Sequence, residues 1–229
     1  MIDFTRIKAF LIDLDGTVYF KGAPILGAVE TITFLRNKGF SLRFLTNTDS
    51  KTSRTLFKRL NGMDITNIPE SEIFNPPRML VRFFEQHPGK SAFFIVSEEI
   101  QDLFIDVPRT GCPDYVVVGD VQEYSDLYEK LNQAFRYLKQ GSKLIALQTS
   151  LYYHSKDGYN LDTGSFVHLL EHVTGQKSLV IGKPSTEFFK LVLDELQLNG
   201  EEVAVVGDFI DSDIVGGHNI NAKTILVKT

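Results

Sequence analysis

The chain has little of what marks a secreted or membrane-bound protein. Its single cysteine, Cys112, cannot form an internal disulfide, and no Cys/His grouping has the spacing of a zinc site. No apolar run approaches the roughly 18 residues that a membrane span needs. Residues 1–14 mix charged with apolar side chains and lack the apolar core of a secretory signal. We therefore predict a cytoplasmic protein with no membrane partner.

Positive charge is also scarce. The chain has 24 Lys and Arg against 29 Asp and Glu, a formal net charge of −5, and no run of basic residues that could follow a phosphate backbone. We therefore expect no nucleic-acid partner. A small anionic substrate is compatible with this charge, because a bound metal and nearby cations can reverse the field inside one cleft.

What the chain does contain is an alternation of short apolar runs with segments of helical period. The predicted strands are Ala9–Leu14, Ser41–Thr46, Ala92–Val96, Tyr115–Val118, Lys143–Leu147, Leu179–Ile181, Val203–Val206 and Thr224–Val227. The predicted helices between them close at Gly39, Gly62 and Gly175 or begin behind Ser125 and Ser185. This alternation predicts an α/β fold with a Rossmann-like parallel sheet covered on both faces.

Two clusters of helix-breaking residues predict the domain boundaries. One is Asn75–Pro77 and the other is Gly175–Ser178. We predict an outer Rossmann-like core made of residues 1–77 and 179–229, with an inserted α/β unit at residues 78–178.

The most informative stretch is Ala9–Thr17, an apolar strand that runs directly into Asp13, Asp15 and Gly16. Side chains alternate along a strand, so both acids project to the same side at its carboxyl end, where open α/β sheets bind ligands. Two carboxylates this close repel each other, and a divalent cation with oxygen ligands would explain why both are present. The alternative is an acidic turn without function.

The stretch Asp13–Thr17, read DLDGT, resembles the first motif of the haloacid dehalogenase superfamily, whose members are mostly phosphatases with an aspartyl-phosphate intermediate. The later motifs of that superfamily have matches in the same order. Thr46 ends the next core strand, Lys183 precedes a helix, and Asp208–Asp213 follows a late strand. The pattern covers nearly the whole chain.

The resemblance implies a catalytic pair and a metal site. Asp13 would be the nucleophile, and Asp15 would be the general acid and then the general base. Mg²⁺ would be held by a carboxylate oxygen of Asp13, the backbone carbonyl of Asp15 and Asp208. Asp213 and Asp211 would orient these ligands.

The resemblance also implies residues that bind the substrate. Thr46, through its hydroxyl and backbone, and Asn47 would hold the transferring phosphoryl group, and Lys183 would supply a fixed positive charge. The phosphatases it resembles continue with Asn and then Ser or Thr, whereas this chain continues with Thr48 and Asp49. We expect Asp49 to cap a helix that starts near Ser50, with altered affinity at the phosphate pocket as the alternative.

The spacing of the motifs separates subclasses of the superfamily. Thr46 follows Asp13 by only 33 positions, whereas Lys183 follows Thr46 by 137, which places a type-two α/β cap in the second interval. The text around Val18–Ile25 resembles subclass IIA, which contains nitrophenyl, phosphoglycolate and pyridoxal phosphatases. That resemblance implies Mg²⁺-dependent hydrolysis of a small phosphorylated metabolite and a homodimer contact through the cap.

The cap segment 154–164 stands where this subclass selects its substrate, but its sequence departs from the usual Gly- and Pro-rich pattern. His154, Tyr159 and Asp162 are candidates to touch the leaving group, with a solvated loop as the alternative. The physiological substrate therefore stays open among sugar phosphates, nucleotides, phosphoglycolate, pyridoxal phosphate and phosphoamino compounds.

Two other functions compete with a phosphatase. A dehalogenase also uses a nucleophilic Asp, but it needs neither a metal nor a second acid, so Asp15 and Asp208 argue against it. A phosphate-binding regulatory or scaffold protein of the same fold would keep the geometry with little turnover. The inserted cap and the presence of Asp15 favour the enzyme.

Overall fold

The computed structural model of the protein describes residues 5–155 and 158–228, with the side chains at 154 and 155 outside that description. The chain forms two compact units. The first unit contains the described residues up to Thr46, then Ser53–Asn75, and then those from Lys183 onward. The second contains Asn47–Thr52 and Pro76–Gly182.

The strands, in chain order, are β1 (Ala9–Asp13), β2 (Tyr19–Phe20), β3 (Ala23–Pro24), β4 (Ser41–Leu45), β5 (Ile73–Phe74), β6 (Ala92–Ile95), β7 (Tyr115–Val118), β8 (Lys143–Ala146), β9 (Tyr152–Ser155), β10 (Gly158–Leu161), β11 (Leu179–Val180), β12 (Val203–Gly207) and β13 (Lys223–Leu226). The α-helices are α1 (Ala28–Asn37), α2 (Ser53–Asn61), α3 (Pro76–Gln86), α4 (Glu98–Gln101), α5 (Leu127–Lys139), α6 (Thr163–Thr174), α7 (Thr186–Leu196) and α8 (Val215–Asn219). Short 3₁₀ turns lie at Glu70–Glu72, Asp102–Phe104 and Gly200–Glu202, and a π-helical turn lies at Ile210–Ile214. Within the described ranges, no helix is long and apolar enough to cross a membrane.

The first unit is built on a parallel sheet with the strand order β13-β12-β1-β4-β5. In the central strand β1, Ala9 pairs with Val203 on one side and with Ser41 on the other. All five residues of β1 are buried, as expected for a strand in a parallel sheet with helices on both faces. The apolar side chains of this sheet join Leu56 and Leu60 of α2 in one core.

The second unit has its own parallel sheet, with the order β11-β8-β7-β6. All four residues of β7 are buried. Helix α5 contributes Ala134 and Leu138 to the core of this unit, and α6 contributes Val167 and Leu170. The spacings of four and three residues place each pair on one face of its helix.

The α/β fold with parallel sheets is confirmed, and the differences from the sequence expectations are local. Helix α5 begins behind Asp126 rather than Ser125. Strands β9 and β10 form an antiparallel pair that overlaps the expected loop at 154–164. Strand β11, which we expected in the outer core, pairs with β8 in the second sheet, because Leu179 lies opposite Ile145. The structure thus divides the chain near Gly182 rather than at 178.

Candidate active site

The chain turns sharply after β1, and this turn depends on Gly16. The Gly16 N–H donates to the Tyr19 carbonyl at 2.8 Å, and the Tyr19 N–H donates to the Leu14 carbonyl at 3.1 Å. Gly16 has a φ of +87°, and a Cβ there would lie 2.1 Å from Oδ2 of Asp208. Only glycine can therefore adopt this backbone conformation and also leave room for the Asp208 carboxylate.

Asp13 and Lys183 form a buried ion pair at the carboxyl end of β1. Their exposed fractions are 7% and 2%. The Lys183 Nζ donates to Asp13 Oδ1 at 2.6 Å, to Asp213 Oδ1 at 2.7 Å and to the Leu45 carbonyl at 3.1 Å. Three acceptors match the three N–H bonds of an ammonium group. One buried cation thus links two buried acids and the end of β4.

The π-helical turn after β12 fixes Asp213. Its backbone N–H donates to the Phe209 carbonyl at 2.9 Å, and its Oδ2 accepts from the Phe209 N–H at 3.2 Å. Both carboxylate oxygens of Asp213 therefore already accept hydrogen bonds. Asp211 lies on the same turn but is exposed, so the structure does not bring it into this group.

The acids of this unit fit a divalent cation. Carboxylate oxygens of Asp13, Asp208 and Asp213 lie within 4.8 Å of one another. Asp13 Oδ2 is buried and has no hydrogen-bond partner among the described residues, which a buried carboxylate oxygen rarely tolerates. A hard cation with oxygen ligands would satisfy it. Asp13 and Asp208 are better placed as direct ligands than Asp213, whose oxygens are already engaged.

The ion pair also sets the protonation of its members. Burial raises the pKa of Asp13, and the charge of Lys183 opposes that rise. Burial lowers the pKa of Lys183, but Asp13 and Asp213 outweigh this effect and raise that pKa above its usual value. Lys183 therefore stays charged, and its charge favours the ionised form of Asp13.

Asp15 is exposed in the turn that follows β1. The positive charge of Arg59, a residue that the sequence did not suggest as a candidate, acts on it. Partial desolvation raises the pKa of Asp15, Arg59 lowers it, and Asp208 raises it. The Arg59 guanidinium lies 5.0 Å from the centre of the Tyr19 ring. The sequence gives no signal for Arg59, because it is one of several basic residues on the exposed face of α2.

Thr46 and Asn47 fall in different units. Thr46 is buried, and its backbone N–H donates to the Phe74 carbonyl at 3.0 Å. This N–H is therefore part of the sheet and is not available to a phosphoryl group, in contrast to the sequence expectation. Asn47 begins the second unit, where its Oδ1 would lie 2.7 Å from a Cβ on Gly182. The structure thus groups Thr46, but not Asn47, with Asp13.

The expectation that Asp49 caps a helix is wrong. Helix α2 begins only at Ser53, and Asp49 Oδ2 instead accepts a hydrogen bond of 2.7 Å from the hydroxyl of Thr163. Asp49 is 5% exposed. The sequence does not predict this contact, because its two residues are 114 positions apart.

The candidate residues of the cap have local structural contacts. Asp162 is the N-cap of α6, and its side chain accepts from the Thr163 N–H at 2.8 Å. Tyr159 is exposed, and its ring meets that of Tyr152 edge-on at 5.5 Å. The side chain of His154 lies outside the described residues. These observations assign no substrate contact to any of the three.

Comparisons with known proteins agree with the motifs. Residues 10–107 match the family model described as haloacid dehalogenase-like hydrolase, and residues 180–229 match a second, HAD-hydrolase-like model. The chain is 37% identical over 223 residues to the rat haloacid dehalogenase-like hydrolase domain-containing protein 2, covering 97% of this chain and 85% of the relative. It is 32% identical to the zebrafish phospholysine phosphohistidine inorganic pyrophosphate phosphatase, with coverages of 97% and 83%.

A solved structure extends this similarity to the whole fold. The p-nitrophenyl phosphatase from Archaeoglobus fulgidus superimposes with a TM-score of 0.88 at 29% sequence identity, covering 96% of this chain and 85% of that one. Family models, curated relatives and the three-dimensional fold all agree. The chain belongs to the haloacid dehalogenase-like hydrolase family, and its structural neighbours are nitrophenyl phosphatases of subclass IIA.

Proposed function

We propose that this protein is a Mg²⁺-dependent phosphatase that hydrolyses a small phosphate monoester through an aspartyl-phosphate on Asp13. The observation that carries the proposal is the buried Asp13–Lys183–Asp213 cluster, with one Asp13 oxygen unpartnered among the described residues and Asp208 beside it. An ordinary structural ion pair would leave no buried acceptor unsatisfied. A site that receives a metal and a phosphoryl group would leave such an acceptor unsatisfied until they bind.

In the proposed first step, a carboxylate oxygen of Asp13 attacks the phosphorus atom, and the bond from phosphorus to the leaving oxygen breaks. Asp15 gives its proton to the leaving oxygen. In the second step Asp15 takes a proton from water, whose oxygen attacks the phosphorus and releases Asp13 and inorganic phosphate. The raised pKa of Asp15 suits a group that must first be an acid.

The remaining residues would position the reacting groups and neutralise the charge of the phosphoryl group. Lys183 holds Asp13 in place and offers positive charge to the phosphoryl oxygens, and the Thr46 hydroxyl offers them a hydrogen bond. Asp13, Asp208 and the Asp15 carbonyl would hold Mg²⁺, which supplies charge neutralisation for the phosphoryl group when it is bound. Asp213 orients Lys183 through their 2.7 Å contact.

The second unit is proposed as the cap that excludes water and selects the leaving group. Relatives are named for nitrophenyl phosphate and for phospholysine, phosphohistidine and pyrophosphate, so P–N and P–O–P compounds belong in a substrate panel beside the phosphate esters. A dimer contact through the cap and a cytoplasmic location stay predictions.

The test is the release of nitrophenol from nitrophenyl phosphate with Mg²⁺, with EDTA, and by Asp13→Asn. We expect turnover that needs both the metal and Asp13. The matched control is Asp64→Asn, an exposed acid of the same unit with a left-handed φ that Asn also adopts. It should retain the wild-type rate.

Two results would contradict the proposal. Equal turnover by Asp13→Asn would remove the aspartyl-phosphate mechanism. A folded, Mg²⁺-loaded protein that hydrolyses no compound of the panel would favour the alternative, a phosphate-binding regulatory or scaffold protein. Mass spectrometry for a phosphoryl group on Asp13 would then show whether the first step occurs without the second.

A further inference from the structure

Tyr19 carries a buried hydroxyl that has no hydrogen-bond partner among the described residues. The residue is 1% exposed and belongs to the core of the first unit. A buried tyrosine hydroxyl usually finds a partner, and a buried polar group without one costs free energy. Packing alone therefore does not explain why this position carries a tyrosine rather than a phenylalanine.

The backbone of the turn after β1 brings Tyr19 next to Asp15. The Gly16 N–H donates to the Tyr19 carbonyl at 2.8 Å, and the Tyr19 N–H donates to the Leu14 carbonyl at 3.1 Å. These two bonds form an isolated parallel β-bridge between Asp15 and Tyr19. Backbones paired in this way lie about 4.8 Å apart, so the acid and the phenol start from neighbouring points of the first unit.

The charges around the phenol agree with this placement. Burial raises the pKa of Tyr19, and Asp15 raises it more than Asp13 does. The Tyr19 hydroxyl therefore keeps its proton and is available as a donor. The Arg59 guanidinium lies 5.0 Å from the centre of the Tyr19 ring, a distance at which a cation is attracted to the ring and helps to hold it.

We propose that Tyr19 is a positioning residue, whose hydroxyl donates to the Asp15 carboxyl group when substrate binds and turns that group toward the leaving oxygen. The proposal rests on the proposed function for the role of Asp15 as general acid. The torsion that orients a carboxyl group is broad, and a general acid acts only within hydrogen-bond reach of the leaving oxygen. A protonated carboxyl group still accepts through its second oxygen, so the phenol would gain the partner that it lacks.

The test compares kcat/KM of the wild type and of Tyr19→Phe for phenyl phosphate and nitrophenyl phosphate, with Mg²⁺. The two esters are alike in shape, but nitrophenol is the stronger acid, so its release depends less on a general acid. The ratio kcat/KM reports the loss of transition-state stabilisation from free enzyme and free substrate. We expect a fall of about tenfold for phenyl phosphate, the worth of one hydrogen bond, and of no more than about twofold for nitrophenyl phosphate.

The matched control is Tyr124→Phe, which removes a phenol hydroxyl that donates to the Val96 carbonyl at 2.8 Å in the second unit. It should lower the free energy of unfolding without changing the preference between the two esters. Tyr19→Phe should keep its stability in urea, because its hydroxyl has no bond to lose. Equal losses for both esters in Tyr19→Phe, or no loss for phenyl phosphate, would overturn the proposal.

The double variant with Asp15→Asn shows whether Tyr19 acts through Asp15. In the Asp15→Asn background, Tyr19→Phe should change kcat/KM for phenyl phosphate by less than about twofold, because the group that it positions is already gone. A further fall of about tenfold in that background would mean that Tyr19 acts on something else, and the positioning role would be rejected.

A crystal structure with Mg²⁺ and inorganic phosphate separates this proposal from the proposed function. If the wild type hydrolyses neither ester, or Asp15→Asn keeps the wild-type rate, the proposed function fails in its chemistry, and the hydrogen bond is judged on the crystal structure. The Tyr19 Oη should then lie within about 3.2 Å of an Asp15 carboxyl oxygen. A separation of more than about 3.5 Å would refute the bond.

Discussion

Replacing Asp49 by Asn should make this protein more stable at neutral pH, although the change removes a polar group from a specific contact. Burial raises the pKa of Asp49 to about 8, the bond from Thr163 opposes the rise, and Asp162 and Asp120 add to it. The folded protein therefore keeps this proton at pH 7, where the unfolded chain has released it. Asn imitates the protonated acid in shape and still accepts from Thr163.

The size of the effect follows from the difference between the two pKa values. The group's usual pKa is 3.8, and each pH unit between 3.8 and 8 removes about 1.4 kcal/mol of stability from the wild type. Folding is not penalised below pH 3.8, and the full penalty applies above pH 8. We expect Asp49→Asn to gain about 2 kcal/mol at pH 5 and about 4 kcal/mol at pH 7.

The assay is urea unfolding followed by far-ultraviolet circular dichroism at pH 5, 6 and 7, because the chain has no tryptophan to report by fluorescence. The control is Asp106→Asn, an exposed acid of the same unit, which should show no such slope. A gain for Asp49→Asn that stays constant with pH would mean that Asp49 is ionised in the folded protein. The pKa argument would then be refuted.

Three further changes test the candidate site and its support. Gly16→Ala places a Cβ against the Asp208 carboxylate, so the kcat measured with Mg²⁺ should fall at least about 100-fold. The circular dichroism spectrum should stay native, and near-normal activity would contradict the assigned geometry. Lys183→Met leaves the buried Asp13 without its cation, so activity should vanish and the loss of thermal stability should grow from pH 5 to pH 8; an equal loss at both pH values would argue against an ionised Asp13. Arg36→Ala removes the hydrogen bonds that join α1 to Glu72 and to the Asn67 carbonyl. The free energy of unfolding, measured in urea, should fall by about 2 kcal/mol, and KM in the nitrophenol assay should stay unchanged.

The sequence predicts most of the first sheet and of the acid cluster, for a common physical reason. β1 is apolar up to Ile12 and β12 contains only Val, Ala and Gly, because helices cover both faces of a parallel sheet, and this pattern can be recognised from the local sequence alone. Asp13 and Asp208 then meet because both follow such strands at the same edge. For these residues, the local sequence pattern is enough to predict the position in the fold.

Other parts depend on contacts between distant residues. Strands β2 and β3 have two residues each, which is too short for any period to appear. β11 is equally short, and its pairing with β8 determines which of the two units it belongs to. Asp49 reads as a helix cap in its local sequence, and only burial against Thr163 gives it another role. Residues whose partners are far along the chain are those that local rules assign wrongly.

The boundaries of the second unit carry a consequence for evolutionary exchange of modules. Thr46 is the last residue before the first crossing between units, and Lys183 is the first residue after the final return to the first unit. Both are candidate site residues, so recombination at these junctions would cut next to the chemistry rather than in a neutral linker. Because Asn47–Thr52 belongs to the second unit, a transplanted module must carry that segment with its anchors at Ser97 and Thr163. We expect variants of this architecture to diversify within the insert while its junctions stay fixed.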